Sequence, residues 1–193
     1  WVDIPSNNNK TYYSLSATSS IWGGKESITI RAIVNSFYYD DLTINLPNFI
    51  FDGKSFKPYT EDVAVCPTNV YGRTKLAGEE ALFEQCKDAI IIRTSWLYSS
   101  FGNNFVKTML RLGRERDELN VIFDQVGTPT YAADLAQTIL TIITDREWVS
   151  GIYHFSNEGV CSWYDFALEI MHQSNITCKV FPIESKDYPT PTP

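Results

Sequence analysis

The chain has 193 residues, 44% of them hydrophobic and 20% charged, and a net charge of −7. At this length a chain buries roughly 70% of its unfolded surface, so a core can form without disulfide or metal staples. The negative charge argues against nucleic acid or an anionic membrane as main partner, and an anionic ligand would need a local cationic or helix-dipole site.

Taken in chain order, the text starts at Trp1 rather than Met and reads as a fragment or processed product. Residues 1 to 48 are dense in Ser, Thr, Asn and Tyr and show no helical period. Within them Ser27 to Val34 reads as a strand by its β-branched residues. From Phe49 the character changes. Tyr71 to Lys87 predicts a helix with Ala77, Ala81 and Leu82 on its inner face. Ala89 to Thr94 is a short apolar run, as in a strand buried on both faces. Asn103 to Arg116 predicts a helix whose Phe105, Met109 and Leu112 face a core. Leu119 to Phe123 reads as a strand, and Ala132 to Ile143 as a helix with Asp134 near its positive end. Gly151 to Ser156 is a strand, Ser162 to His172 a helix capped by Ser162, and Lys179 to Ile183 a strand. Tyr188 to Pro193 alternates proline and threonine and can only be a loop. Helices alternating with short apolar strands define an α/β fold with a mostly parallel sheet.

Four cysteines, Cys66, Cys86, Cys161 and Cys178, include no C-x-x-C pair, so a zinc or thioredoxin-type centre is not expected. Scattered thiols in a chain of this size fit a reducing, cytoplasmic setting. No apolar run reaches the roughly 18 residues of a membrane span. Trp1 to Pro5 has neither the basic start nor the apolar stretch of a signal peptide. His154 and His172 lie too far apart in sequence to suggest a metal site, and no metal is assigned.

Tyr71 and Lys75 form a Tyr-x-x-x-Lys pair. Positions i and i+4 share a helix face, so phenol and ammonium can serve one site. A free tyrosine, with a pKa near 10, is a poor proton donor and acceptor at neutral pH. A neighbouring ammonium favours phenolate and lowers that value. Spacing alone is weak evidence: 11 Tyr and 9 Lys in 193 residues give about 0.5 such pairs by chance. The plain alternative is a surface lysine one turn from a packed tyrosine.

The surroundings of the pair are more specific. Phe51-Asp52-Gly53, Tyr59-Thr60-Glu61-Asp62 and Pro67-Thr68-Asn69-Val70 lead into Tyr71-Gly72-Arg73-Thr74-Lys75. Arg93-Thr94-Ser95-Trp96, Phe101-Gly102-Asn103-Asn104, Phe123-Asp124-Gln125-Val126-Gly127, Cys161-Ser162-Trp163-Tyr164 and Tyr188-Pro189-Thr190-Pro191 follow in order. This succession resembles the dTDP-4-dehydrorhamnose reductases, extended short-chain dehydrogenase/reductases, over Phe49 to Pro193. The resemblance implies a Rossmann-like parallel sheet, incomplete at the N-terminus, with a small C-terminal α/β substrate lobe. It implies NADPH (or NADH) as cofactor, a dTDP-sugar as partner, and allows a homodimer. Tyr71 would be proton donor to the C4 carbonyl oxygen of the keto sugar. Lys75 would lower the Tyr71 pKa and hydrogen-bond the nicotinamide ribose. Trp96 would lie against the sugar ring, with core packing as its alternative. Asn104 and Gln125 would hydrogen-bond the sugar or nucleotide, or else cap backbone. Arg93 would neutralise the diphosphate or form a buried ion pair.

Two departures stand against this pattern. A Gly-rich phosphate-binding turn does not occur: only Gly23-Gly24 precede Gly53. The family's Ser-Thr-Asp-Tyr run is replaced by Leu46-Pro47-Asn48-Phe49, and Pro47 has neither a hydroxyl nor an N–H to donate. Residues 1 to 48 are therefore left unassigned, as disordered or as a stretch not native to the fold; a degenerate non-catalytic relative and an active enzyme with an unusual start are the other readings. In function, NADPH-dependent reduction of dTDP-4-dehydro-L-rhamnose competes with a non-catalytic binding role like that of the methionine adenosyltransferase β subunit. A nucleotide-sugar epimerase or dehydratase is a third reading.

Overall fold

A computed structural model describes residues 13–22, 25–34, 42–45, 50–53, 55, 57–144 and 148–188, the first three stretches as backbone only. The chain divides into two compact units, residues 1–94 with 145–155, and residues 95–144 with 156–193.

The first unit holds a five-stranded sheet in the order β1 (Tyr13–Trp22), β2 (Lys25–Val34), β3 (Leu42–Asn45), β4 (Ile90–Arg93), β9 (Gly151–His154). β1, β2 and β3 pair antiparallel, whereas β3, β4 and β9 are parallel, so the expected parallel sheet carries an antiparallel edge. The strand expected at Ser27 to Val34 lies within β2; β1 and β3 were not anticipated. All four residues of β4 are buried, which the unbroken Ile90-Ile91-Ile92 run anticipates for a central parallel strand.

Helix α1 (Val70–Gln85) belongs to the same unit. Its inner face differs in part from the expected one: Ala77 and Ala81 are exposed and Leu82 is half-buried, while Gly72 and Glu79 are buried. That stripe also carries the half-buried Leu76, Leu82 and Phe83, and it includes a buried ion pair. The Glu79 carboxylate receives two hydrogen bonds from the Arg93 guanidinium, Nε to Oε1 at 3.0 Å and Nη2 to Oε2 at 2.7 Å. Both side chains are only 2% exposed. A buried charge needs its partner, so the helix turns the face carrying Glu79 toward β4.

The second unit contains α2 (Phe105–Glu115), α3 (Ala132–Thr144) and α4 (Trp163–Gln173) with three two-stranded pairings. β6 (Glu118–Ile122) runs parallel to β11 (Lys179–Ile183), and β5 (Leu97–Tyr98) parallel to β8 (Thr130–Tyr131). β7 (Val126–Gly127) pairs antiparallel with β10 (Cys161–Ser162). The core joins Met109 of α2, Leu119 and Val121 of β6, Ala167, Ile170 and Met171 of α4, and Val180 of β11. Phe105 and Leu112 pack against it, as their spacing with Met109 predicted. Each large side chain buried here stabilises by about 1.5–3 kcal/mol. Gly113 lets α2 approach α4 closely, since a Cβ there would lie 2.5 Å from Met171 Sδ.

Ser162 caps α4 as expected, and more completely. Its hydroxyl accepts from Asp165 N at 3.0 Å, while the Asp165 carboxylate accepts from Ser162 N at 2.9 Å, a reciprocal capping box. All four cysteines are free thiols. Among the described residues no helix is long and apolar enough to cross a membrane.

Candidate active site

α1 begins at Asn69, whose side-chain oxygen accepts from Gly72 N at 2.8 Å. That cap fixes the first turn, and Tyr71 sits in it. Lys75 follows one turn later, with its Nζ over the Tyr71 ring, 5.2 Å from the centroid. Spacing alone anticipated this juxtaposition. The protonation balance differs from expectation. Burial pushes the Tyr71 phenol above its ordinary value and the Lys75 ammonium below its own, because each loses water around its charged form. An ammonium over the ring face addresses the π cloud, so loss of solvent outweighs its pull on the phenolate. Tyr71 is thus held as a protonated phenol, the form a proton donor requires.

The segment leading to α1 is built around Phe51. Its ring stacks on Tyr59 at 4.3 Å and 8°, and the Arg93 guanidinium lies 5.7 Å from its centroid. The Tyr59 hydroxyl donates to Asp52 Oδ1 at 2.8 Å, and Gly53 turns the chain at φ +71°. Glu61 accepts from His154 N at 2.7 Å, and this bond is the chief reason its carboxyl is held below the usual range. The Phe-Asp-Gly and Tyr-Thr-Glu runs therefore tie this segment to β9 and to the Glu79–Arg93 pair. Arg93 serves the ion pair, the second of its two sequence-based readings.

The remaining candidates fall in the second unit. Trp96 is 9% exposed and stacks on Trp163, with centroids 3.5 Å apart and planes at 11°. Its backbone has φ +46°, unusual for a residue with a Cβ. Asn104 caps α2: its oxygen accepts from Lys107 N at 3.1 Å and its nitrogen donates to Ser99 O at 2.7 Å. Gln125 Nε2 donates to Ser185 Oγ at 3.0 Å, and Ser185 N and Oγ donate to Asp124. These bonds bind the 123–129 loop to the segment after β11. Trp163 and Ser185 carried no assignment in the sequence reading; both act through contacts with residues distant along the chain.

Positions 46–49 and Gly23-Gly24, where the sequence departs from the reductase pattern, lie outside the described residues, as does 189–193. Among the described residues no group of three or more His, Cys, Asp or Glu could hold a metal ion.

A parallel β3–β4–β9 core accompanied by a helix bearing Tyr71 and Lys75 defines an α/β protein of Rossmann type. A family model described as RmlD substrate binding domain matches residues 47–193. The chain belongs to that family. It is 42% identical over 146 residues to the spore coat polysaccharide biosynthesis protein SpsK of Bacillus subtilis (strain 168), covering 76% of this chain and 50% of that protein. It is 42% identical over 153 residues to the dTDP-4-dehydrorhamnose reductase of Escherichia coli (strain K12), covering 75% and 51%. A crystal structure of dTDP-4-dehydrorhamnose reductase from Bacillus anthracis in complex with NADP superposes with a TM-score of 0.71 at 41% identity, over 76% of this chain and 52% of that one. The chain thus spans about half the length of the relatives it matches.

Proposed function

We propose that this chain supplies the proton donor and the sugar-side elements for NADPH-dependent (or NADH-dependent) reduction of dTDP-4-dehydro-L-rhamnose to dTDP-L-rhamnose. The observation that carries the reading is the Tyr71–Lys75 pair, half-buried on one helix face inside the family-matched region. Reductase names among the relatives support it over the non-catalytic alternative.

The residues present fit the nicotinamide-ribose end of such a cofactor, since Tyr71 and Lys75 offer a phenol and an ammonium on one face. For the pyrophosphate no residue is assigned, because no Gly-rich turn occurs in the sequence. When bound, the reduced nicotinamide supplies hydride to the sugar C4. Tyr71 gives its phenolic proton to the C4 oxygen, so the carbonyl becomes a hydroxyl and Tyr71 a phenolate. Lys75 stabilises that phenolate until solvent returns the proton. Trp96 is proposed to pack on the sugar ring. Asn104 and Gln125, whose amides are engaged with α2 and Ser185, are proposed to act by holding the loops that carry them.

Tyr71→Phe removes the phenolic hydroxyl, and with it the proposed proton donor. NADPH oxidation at 340 nm with the 4-keto sugar is expected to fall about 10²- to 10⁴-fold in that variant. Turnover equal to that of the parent chain would exclude Tyr71 as the donor.

A further inference from the structure

Trp96 is held in place by more than a packed core indole needs. A non-glycine residue at φ +46° is strained and persists only where its surroundings over-determine it. Three features do so. The Trp163 ring covers one indole face at 3.5 Å. Gly127 receives the edge of the ring: a Cβ there would lie 2.5 Å from Trp96 Cε2, 2.7 Å from Cζ2 and 2.8 Å from Nε1. Backbone bonds anchor the loop, with Thr130 N donating to Trp96 O at 3.2 Å and Ser95 Oγ to Thr128 O at 2.6 Å.

The two seats are themselves fixed. Trp163 opens α4 directly after the Ser162 capping box and also packs on Phe105 of α2 at 4.6 Å. Gly127 is locked by pairing with Cys161 of β10, next to that same cap. Its φ is outside the left-handed region, so the backbone there does not call for glycine. Only the close approach of the indole does.

Resting on the functional reading above, we infer that Trp163 and Gly127 are positioning residues that set the Trp96 indole for recognition of the deoxy-sugar ring, without contributing to the nucleotide. An alanine methyl at Gly127 must push the indole about 1 Å or more from its place to restore ordinary contact. Loss of the Trp163 face releases it from the other side.

The test compares dTDP with dTDP-L-rhamnose by calorimetry on the whole chain, so that the difference isolates the sugar. Gly127→Ala and Trp163→Leu are expected to weaken dTDP-L-rhamnose about tenfold while leaving dTDP within twofold. Trp163→Phe, which keeps a stacking partner, is expected to recover most of the loss. Near-ultraviolet circular dichroism should change in Gly127→Ala and Trp163→Leu while the far-ultraviolet spectrum does not. Equal weakening of dTDP and dTDP-L-rhamnose would show a merely structural role and overturn the inference. So would unchanged sugar affinity in Gly127→Ala, which does not depend on the Trp163 variants folding. If the parent chain binds neither ligand, the functional reading fails with it; if the parent binds and the variants match it, the positioning inference alone fails.

Discussion

Glu79→Gln tests the pair that orients the helix bearing Tyr71. Glutamine keeps the volume and one accepting oxygen, but it turns an NH₂ toward the Arg93 donors and leaves the guanidinium charge unpaired. Both side chains are 2% exposed, so water cannot compensate. Breaking such a buried pair costs about 3–5 kcal/mol. Against a total stability of about 5–15 kcal/mol, that is a large fraction. With a urea m value of about 2 kcal/mol/M, a loss of about 4 kcal/mol lowers the midpoint by about 2 M. The assay is urea unfolding followed by circular dichroism, with hydrogen exchange in peptides spanning α1 and β4. A control replaces both partners, Glu79→Leu with Arg93→Met. It removes the charges together and should cost less than either single change. A Glu79→Gln loss below about 1 kcal/mol, or a double variant costing the sum of the singles, would refute the argument that this pair sets the helix face.

Ser162→Ala should cost about 1 kcal/mol, since it removes the hydroxyl half of the capping box at α4, measured by thermal unfolding. The Asp165 carboxyl is held below its usual range first by the Ser162 hydroxyl and then by Ser162 N. A depressed folded pKa stabilises above the unfolded value of about 3.9, and that stability is lost as pH falls through the folded value, so the variant and parent should converge in acid. For Tyr71 the sign is opposite. Burial raises its folded pKa, so its contribution is full below about pH 10 and is lost as pH rises through the folded value. Tyrosine-ring ¹³C NMR should show the resonance absent from Tyr71→Phe titrating after those of exposed tyrosines; titration below about pH 9 would contradict the burial argument.

What could be read from the sequence followed from local chemistry. The Ile90-Ile91-Ile92 run marks a buried parallel strand by composition, and Ser162 three residues before Asp165 marks a helix start. Tyr71 and Lys75 meet because i and i+4 always share a helix face. The errors were non-local. Ala77 and Ala81 looked like an inner face because they are small and apolar, yet the buried stripe carries Glu79, whose partner Arg93 is distant in sequence. β5, β7, β8 and β10 are two residues each, too short to show alternation, and exist only through their partners. β1 was passed over because its Ser- and Thr-rich text reads as loop, although Tyr13, Leu15, Ala17 and Ile21 alternate with polar residues as in a strand. For Tyr71, spacing shows that an ammonium is near but not how much water both groups lose. The Trp163–Trp96–Gly127 contact has no sequence signature; a glycine required by close approach looks the same as one in an open turn.

Isotope tracing tests the proposal that Tyr71 completes a carbonyl reduction at the sugar C4. The chain would be incubated with NADPH deuterated at the transferable position and dTDP-4-dehydro-L-rhamnose, and the product analysed by mass spectrometry. One deuterium at C4 of dTDP-L-rhamnose, dependent on Tyr71, is the expected result. Unlabelled sugar recovered as the ketone, or labelled product formed equally well by Tyr71→Phe, would contradict it.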